Sequence, residues 1–276
     1  MVVAHRGDSS TAAEHTLSAY WAAIDSGADA LECDVRMTRD GYLVCVHDRR
    51  VNRTSTGQGL VSEFTLAELN ALDFESWRLD LPGSADELVP DAAHGEVPER
   101  AGTGVLTLWT LLELVRNAPR PVRLLVETKH PTRYSGLVEK ELVSLLAQFG
   151  WAGRPAAGSG LPRPAAPAET PVTVMSFAPL ALRRIRLLAP DVPRVLLLER
   201  LLPTRRDGLL PTGVRIAGPG LGILQADPGY VARAHRRGNQ VYVWTVDEPA
   251  EVTYVLELGV DAVITNRPAM VARRLR

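Results

Sequence analysis

Four apolar runs in this chain end in ionisable side chains. His5 and Arg6 follow Val2-Val3-Ala4, Glu32 and Asp34 sit within Leu-Glu-Cys-Asp-Val, His47 and Asp48 follow Leu-Val-Cys-Val, and Glu127 and Lys129 follow Arg-Leu-Leu-Val. Packing gives a soluble protein no reason to do this four times, because a buried charge is costly unless it is paired. Glu32 and Asp34 are two residues apart, so on a strand they point to the same face. Two carboxylates roughly 5 Å apart repel by about 3 kcal/mol at an effective dielectric near 20, and Glu127 ends a nearby run and adds a third. Such a cluster needs protons or a cation. Without paired Cys or His spacing, the donor set suits a hard ion, Mg2+ or Ca2+, rather than zinc. The structural alternative for any one of these carboxylates is an ion pair with Arg6, Arg36 or Lys129.

His5 and His47 are the natural proton-transfer pair, since imidazole titrates near neutrality and can give or take a proton. A single strand-end histidine is more often a hydrogen-bonded structural residue; two of them beside three carboxylates reverse that weighting. His94, His130 and His235 lie in loop or helical surface contexts and are assigned no role. Arg6 and Lys129 supply charge suited to phosphate, the arginine bidentately and the lysine as a point charge. For Arg6 a salt bridge closing the barrel is the alternative. A cation, two imidazoles, an arginine and a lysine together describe phosphoryl transfer or phosphodiester cleavage. No Gly-rich loop of the nucleoside-triphosphate type is present, which disfavours a kinase or ATPase.

The elements that must carry these groups alternate. Apolar, β-branched runs at Val2–His5, Ala28–Val35, Tyr42–His47, Val122–Thr128, Val172–Phe177, Arg194–Leu198, Val214–Ala217, Gln240–Val246 and Asp261–Thr265 read as strands. Between them lie helical stretches at Thr16–Ser26, Leu108–Asn117, Leu137–Phe149, Pro179–Leu188, Gly229–Arg237 and Pro249–Leu258. Repeated βα units of this kind predict a (β/α)8 TIM barrel, whose strands are apolar because both faces are covered. Nine runs must share eight slots. Either the Asp40-Gly41 turn folds the third run back antiparallel on the second, making the barrel irregular, or Val214–Ala217 is no strand. Residues 52–104 lack a strand pattern and read as a loop-and-helix insertion after the third strand. Residues 150–171, rich in Ala, Pro and Gly, read as a flexible surface loop.

The 276 residues suit one barrel domain, and 46% hydrophobic residues supply a core. A net charge of −1 gives no electrostatic reason for nucleic acid or an anionic membrane as the main partner. Cys33 and Cys45 sit in apolar runs and read as buried reduced thiols. The start MVVAHRGD shows no basic n-region or apolar h-region, and no run approaches a membrane span, so a cytoplasmic location without stable membrane association is expected.

The residues also resemble a known family. VVAHRGDSSTAAEHTLSAYWAAIDSGADALECDVRMTRDGYLVCVHD is similar to the N-terminal signature of glycerophosphodiester phosphodiesterases: His-Arg-Gly, a Glu-x-Thr helix start, Gly-Ala-Asp-x-Leu-Glu-x-Asp-Val, Thr-x-Asp-Gly and His-Asp. The similarity continues through LLVETK, VMSF, VYVWTV and GVDAVITNRP. The resemblance implies that His5 and His47 are the acid and base, that Glu32, Asp34 and Glu127 hold the divalent metal, and that Arg6 and Lys129 contact the phosphate. It implies further that Trp244 walls the glycerol side and that Glu14 supports the site. The implied reaction converts a glycerophosphodiester and water into an alcohol and sn-glycerol 3-phosphate.

Two positions depart from the family pattern. His15 stands where Pro-Glu-Asn-Thr has its asparagine, and Asn266 stands where an aspartate is common. Neither removes a proposed ligand or acid/base group. A phospholipase D-like lipid phosphodiesterase on the same barrel, of the sphingomyelinase D kind, is a second reading, disfavoured by the Glu127-Thr128-Lys129 run. A barrel that binds phosphodiesters without turnover is a third, and the intact histidine pair argues against it.

Overall fold

The structure is a computed structural model that describes residues 1–78, 103–152, 170–201 and 203–275. His94, the rest of the insertion at 79–102 and most of the Ala/Pro-rich loop, 153–169, lie outside the described residues.

Eight short parallel strands close on themselves. In chain order they are β1 (Val2–His5), β2 (Ala30–Met37), β4 (Arg123–Thr128), β5 (Val172–Ser176), β6 (Arg194–Leu198), β7 (Ile216–Pro219), β8 (Gln240–Val243) and β9 (Ala262–Thr265), and β1 pairs with both β2 and β9. A further strand, β3 (Leu43–Cys45), lies antiparallel on β2. The expected hairpin is therefore present, and it removes the ninth run from the barrel. Gly41 takes φ +94° in its turn, and Thr38 clamps the bend by donating its hydroxyl to Asp40 Oδ1 at 2.6 Å and accepting from the Tyr42 amide at 2.9 Å. The alternative, that the run near Val214 is no strand, fails: that strand exists but begins two residues later, at Ile216.

Helices follow the strands and cover them: α1 (Leu17–Asp25), α2 (Leu66–Asn70), α3 (Leu108–Arg116), α4 (Leu137–Gln148), α5 (Pro179–Leu188), α6 (Leu221–Ala226), α7 (Tyr230–Arg236), α8 (Pro249–Glu257) and α9 (Pro268–Leu275). Thr16, Thr65 and Thr107 cap α1, α2 and α3 by accepting an amide proton from the third residue onward, which satisfies a donor the helix cannot. The β3-side segment before residue 79 contributes α2 and packs Val51, Val61, Leu69 and Phe74 into a small core of its own under Val44 and Val46. No helix among the described residues is long and apolar enough to cross a membrane.

The strand period places the site. Val3, Ala30, Leu125, Met175, Leu197, Tyr242 and Ile264 fill the barrel interior, while Ala4, Leu31, Leu124 and Val126 face the helices. Side chains two residues further on return to the inward face, now at the C-terminal mouth. That step leads from Val3 to His5, from Ala30 to Glu32 and Asp34, from Leu125 to Glu127, and from Tyr242 to Trp244. Register completes the juxtaposition, since His5 lies beside Glu32 and Asp34 beside Glu127 across neighbouring strands.

Gly7 joins β1 to α1. Its φ is +83°, and a Cβ there would sit 2.7 Å from the Ala19 carbonyl carbon, where the Asp8 amide also bonds the Ala19 oxygen at 2.8 Å. Backbone rather than a movable side chain blocks the space. Gly7→Ala should therefore lower stability by about 2 kcal/mol or more, read as a reduced denaturant midpoint with the slope unchanged; a midpoint equal to the parent's would refute the close approach.

Candidate active site

A cavity of about 470 Å³ opens at the C-terminal mouth of the barrel, with His5, Arg6, Glu32, His47, Glu127 and Lys129 on one side of its lining. Phe177, Leu197 and Trp244 form the apolar wall. Of the nine residues singled out in the sequence, seven line this cavity, and Asp34 and Glu14 stand behind it.

The three carboxylates meet as the strand spacing predicts. Glu32, Asp34 and Glu127 each offer an oxygen within 4.8 Å of the others, and all three are buried. Their charges are not shared equally. Burial would raise Asp34, but His15 bonds its Oδ2 at 3.0 Å, Lys129 Nζ lies 2.8 Å from Oδ1, and Arg6 Nε is 2.9 Å from Oδ2. Together these hold Asp34 well below the usual carboxylate range. Glu32 is pushed well above that range by burial and by the charge of Asp34. Burial and Asp34 also push Glu127 up to about 7, although Lys129 lies 2.9 Å away. Two of three ligand-bearing groups thus favour a proton in the absence of a cation. An all-oxygen, anionic, mutually repelling donor set fits a hard divalent cation.

The departures from the family pattern now have places. His15, with φ +60°, sets Nε2 on Asp34, and its Nδ1 lies 2.9 Å from the Tyr20 hydroxyl. Since an ionised carboxylate can only accept, Nε2 carries the proton. Burial lowers His15, against the pull of Asp34. Asn266 Nδ2 donates to Asp247 Oδ2 at 2.6 Å, which turns its Oδ1 toward His5 Nδ1 at 2.7 Å and the Ser9 hydroxyl at 2.8 Å. An amide oxygen only accepts, so His5 carries its proton on Nδ1 and keeps the Nε2 lone pair free. Burial and the neighbouring Arg6 hold His5 down to about 4, so it is neutral at pH 7.

His47 is fixed differently. Its Nδ1 donates to Asp48 Oδ1 at 2.7 Å, and Arg36 donates from Nε and Nη2 to its carbonyl oxygen at 2.9 and 2.7 Å. Asp48 is held at about 2: burial opposes, but hydrogen bonds from Arg53 and His47 prevail. Burial, with the charges of Lys129 and Arg6, holds His47 below the ordinary imidazole range, against the charge of Asp34 and the hydrogen bond to Asp48. Arg53 also donates to both oxygens of Glu14 at 2.8 Å, and Glu14 accepts from Arg6 Nη1 at 3.1 Å. Burial would raise Glu14, yet Arg53 and Arg6 hold it at about 2. A continuous run of ion pairs, Arg6–Glu14–Arg53–Asp48, ending in the hydrogen bond from His47 to Asp48, therefore ties the β1 end to the β3 end. Arg6 itself adopts φ +59°, a conformation rare for a side-chain-bearing residue and of a kind that collects at functional sites.

Sequence reasoning missed several participants. Phe177 and Glu199 line the cavity, and Asn266 holds His5; all three lie two residues beyond inward core positions, at Met175, Leu197 and Ile264, so the strand period was a usable signal. His130, assigned nothing above, also lines the cavity and bonds the buried Glu139 at 2.9 Å. Arg53 had no signal, because it sits in a loop outside every periodic segment.

Against this geometry the comparisons are specific. The model of the glycerophosphoryl diester phosphodiesterase family matches residues 5–270. The chain belongs to that family. It is 44% identical over 267 residues to a probable glycerophosphodiester phosphodiesterase 1 of Mycobacterium tuberculosis, covering 97% of this chain and 89% of the relative. Identity to a Bacillus subtilis glycerophosphodiester phosphodiesterase is 32% over 272 residues, covering 97% and 84%. Among solved structures, an Oleispira antarctica phosphodiesterase in complex with the product sn-glycerol-3-phosphate superposes with TM-score 0.79 at 22% identity, covering 100% of this chain and 96% of that one. A putative glycerophosphoryl diester phosphodiesterase of Silicibacter pomeroyi gives 0.74 at 25%, covering 99% and 92%. The protein is a phosphodiesterase on a TIM barrel.

The state of Glu127 in this phosphodiesterase has a thermodynamic consequence. Its folded pKa of about 7 lies above the ordinary 4.5, so the folded chain binds more protons than the unfolded one between those values. Stability from this group is full below the ordinary pKa and is lost as pH rises through about 7. In chelator, Glu127→Gln should gain thermal stability relative to the parent at pH 8, with the gain shrinking toward pH 5. Mg2+ or Ca2+ should then stabilise the parent and leave Glu127→Gln unmoved. A pH-independent difference would contradict the strained carboxylate cluster.

Proposed function

We propose that this phosphodiesterase hydrolyses glycerophosphodiesters to an alcohol and sn-glycerol 3-phosphate, with a divalent cation on Glu32, Asp34 and Glu127 and with His5 and His47 exchanging protons with the substrate. The observation that carries the proposal is the pair of differently fixed imidazoles beside a cation-fitting carboxylate cluster. The product seen in the Oleispira relative supports the choice of substrate.

Each residue then has a task. His5, neutral and with a free Nε2, accepts the proton of the attacking water. His47 is held below the ordinary imidazole range in the free protein, so it takes up a proton on Nε2 when the anionic substrate binds, and this imidazolium, its Nδ1–H held by the ionised Asp48, donates to the departing alcohol oxygen. Arg6 and Lys129 neutralise the phosphate oxygens, and Glu14 orients Arg6 from behind. Trp244 is held flat against β7 by its Nε1–H to the Gly218 carbonyl oxygen at 2.7 Å, with Phe177 edge-on at 5.5 Å, and together they wall the glycerol. A bound cation would polarise a phosphoryl oxygen and bring charge to the carboxylates that lack it.

Release of glycerol 3-phosphate from glycerophosphocholine, followed in a coupled assay, tests the whole reading. EDTA should abolish it and Mg2+ or Ca2+ restore it; full turnover after rigorous chelation would exclude the cation. His5→Ala and His47→Ala should each cost on the order of 10²–10⁴ in turnover. On a p-nitrophenyl phosphodiester, whose leaving group needs no proton, His47→Ala should recover and His5→Ala should not. Recovery by His5→Ala instead would reverse the two roles.

A further inference from the structure

We infer, resting on the proposed function, that a basic recess beside the cavity binds an anionic group carried on the alcohol half of the substrate. The recess shares Lys129 with the catalytic cavity. Arg36, Arg49 and Arg133 complete its charged lining, Ser62 and Thr132 add hydroxyls, and among the described residues no carboxylate lines it. Its volume of about 40 Å³ admits roughly three waters or one small oxyanion.

This clustering is unlike the rest of the mouth. Arg6 and Arg53 are neutralised by Glu14, Asp34 and Asp48 at ion-pair distance. Arg49 and Arg133 are exposed and have no such carboxylate among the described residues. Arg36 is anchored without being neutralised, since its Nε and Nη2 are spent on the His47 carbonyl oxygen. Convergent guanidinium groups with no internal counterion repel one another unless an anion joins them, and planar donors suit phosphate in particular.

Position decides which half of the substrate the anion belongs to. Arg36 of the recess holds the carbonyl oxygen of His47, the group that presents a proton to the departing oxygen, and none of Phe177, Leu197 and Trp244, the wall that takes the glycerol, lines the recess. The alcohol is therefore the half that reaches the recess. Diesters whose alcohol carries a phosphate or phosphodiester a few bonds from the cleaved oxygen are the class it fits.

The test compares kcat/KM for 1,3-bis(sn-glycero-3-phospho)glycerol and for glycerophosphoglycerol, in saturating Mg2+ at low salt, after correction for the two equivalent esters of the first. The parent should prefer the dianion by about tenfold, as expected for two arginines each worth an exposed ion pair, and the preference should fall as salt is raised. The double variant Arg49→Gln/Arg133→Gln should lose that preference while its kcat/KM for glycerophosphoglycerol stays at the parent's value. Three results would overturn the inference: no preference in the parent, a preference retained by the variant, or an equal loss on both substrates. If the parent released glycerol 3-phosphate from neither diester, the proposed function would fall first and take this subsite with it.

Discussion

Three buried carboxyl groups within 4.8 Å of one another cannot all stay ionised unless positive charge stands between them. Around this constraint the mouth of the barrel is arranged. Asp34 takes the available compensation, from His15, Lys129 and Arg6, and remains ionised, while Glu32 and Glu127 are pushed toward protonation. The imbalance leaves a cluster suited to a divalent cation, whose binding would relieve repulsion as well as form bonds. Lys129 spans Asp34 and Glu127 and still lines the cavity.

The scaffold supplies rigidity where this arrangement needs it. Strand pairing fixes His5 beside Glu32 and Asp34 beside Glu127, so the cluster cannot spread to relieve itself. Polar partners behind the cavity do the orienting. Asp247 fixes Asn266, which sets the tautomer of His5, and Arg53 joins Glu14 to Asp48 so that Arg6 and His47 share one network. The apolar half of the mouth, with Phe177, Leu197 and Trp244, carries none of this charge. A substrate with a charged phosphate and a glycerol carbon skeleton matches that division.

Much of this was legible because the barrel imposes a period of two and a polarity along each strand. His5, Glu32, Asp34 and Glu127 announce themselves as charges on the inward parity of apolar runs, and the Asp40-Gly41 turn announces β3. Helix α6, six residues long and following Gly218–Gly220, has too few turns for its periodicity to register, and α9, which begins at Pro268, spans only eight residues. His15 was visible as a departure from the family pattern, but its bond to Asp34 depends on a positive φ that no spacing encodes. Asn266 reaches His5 across 261 residues, and Arg53 reaches Glu14 across 39. Contacts of that kind arise only when the barrel closes, and local pattern carries no trace of them. The same holds for the basic recess, whose arginines come from separate strand ends and loops.

The measurement that bears most directly on the carboxylate cluster is a calorimetric titration of Mg2+ or Ca2+ into chelator-treated protein near pH 7, repeated in buffers of different ionisation enthalpy. Protons held by Glu32 and Glu127 must leave when the cation enters, so the account predicts one site per chain, an apparent heat that varies with the buffer, and loss of the site in Asp34→Asn. Absence of binding, or binding with no proton release that survives Asp34→Asn, would contradict it.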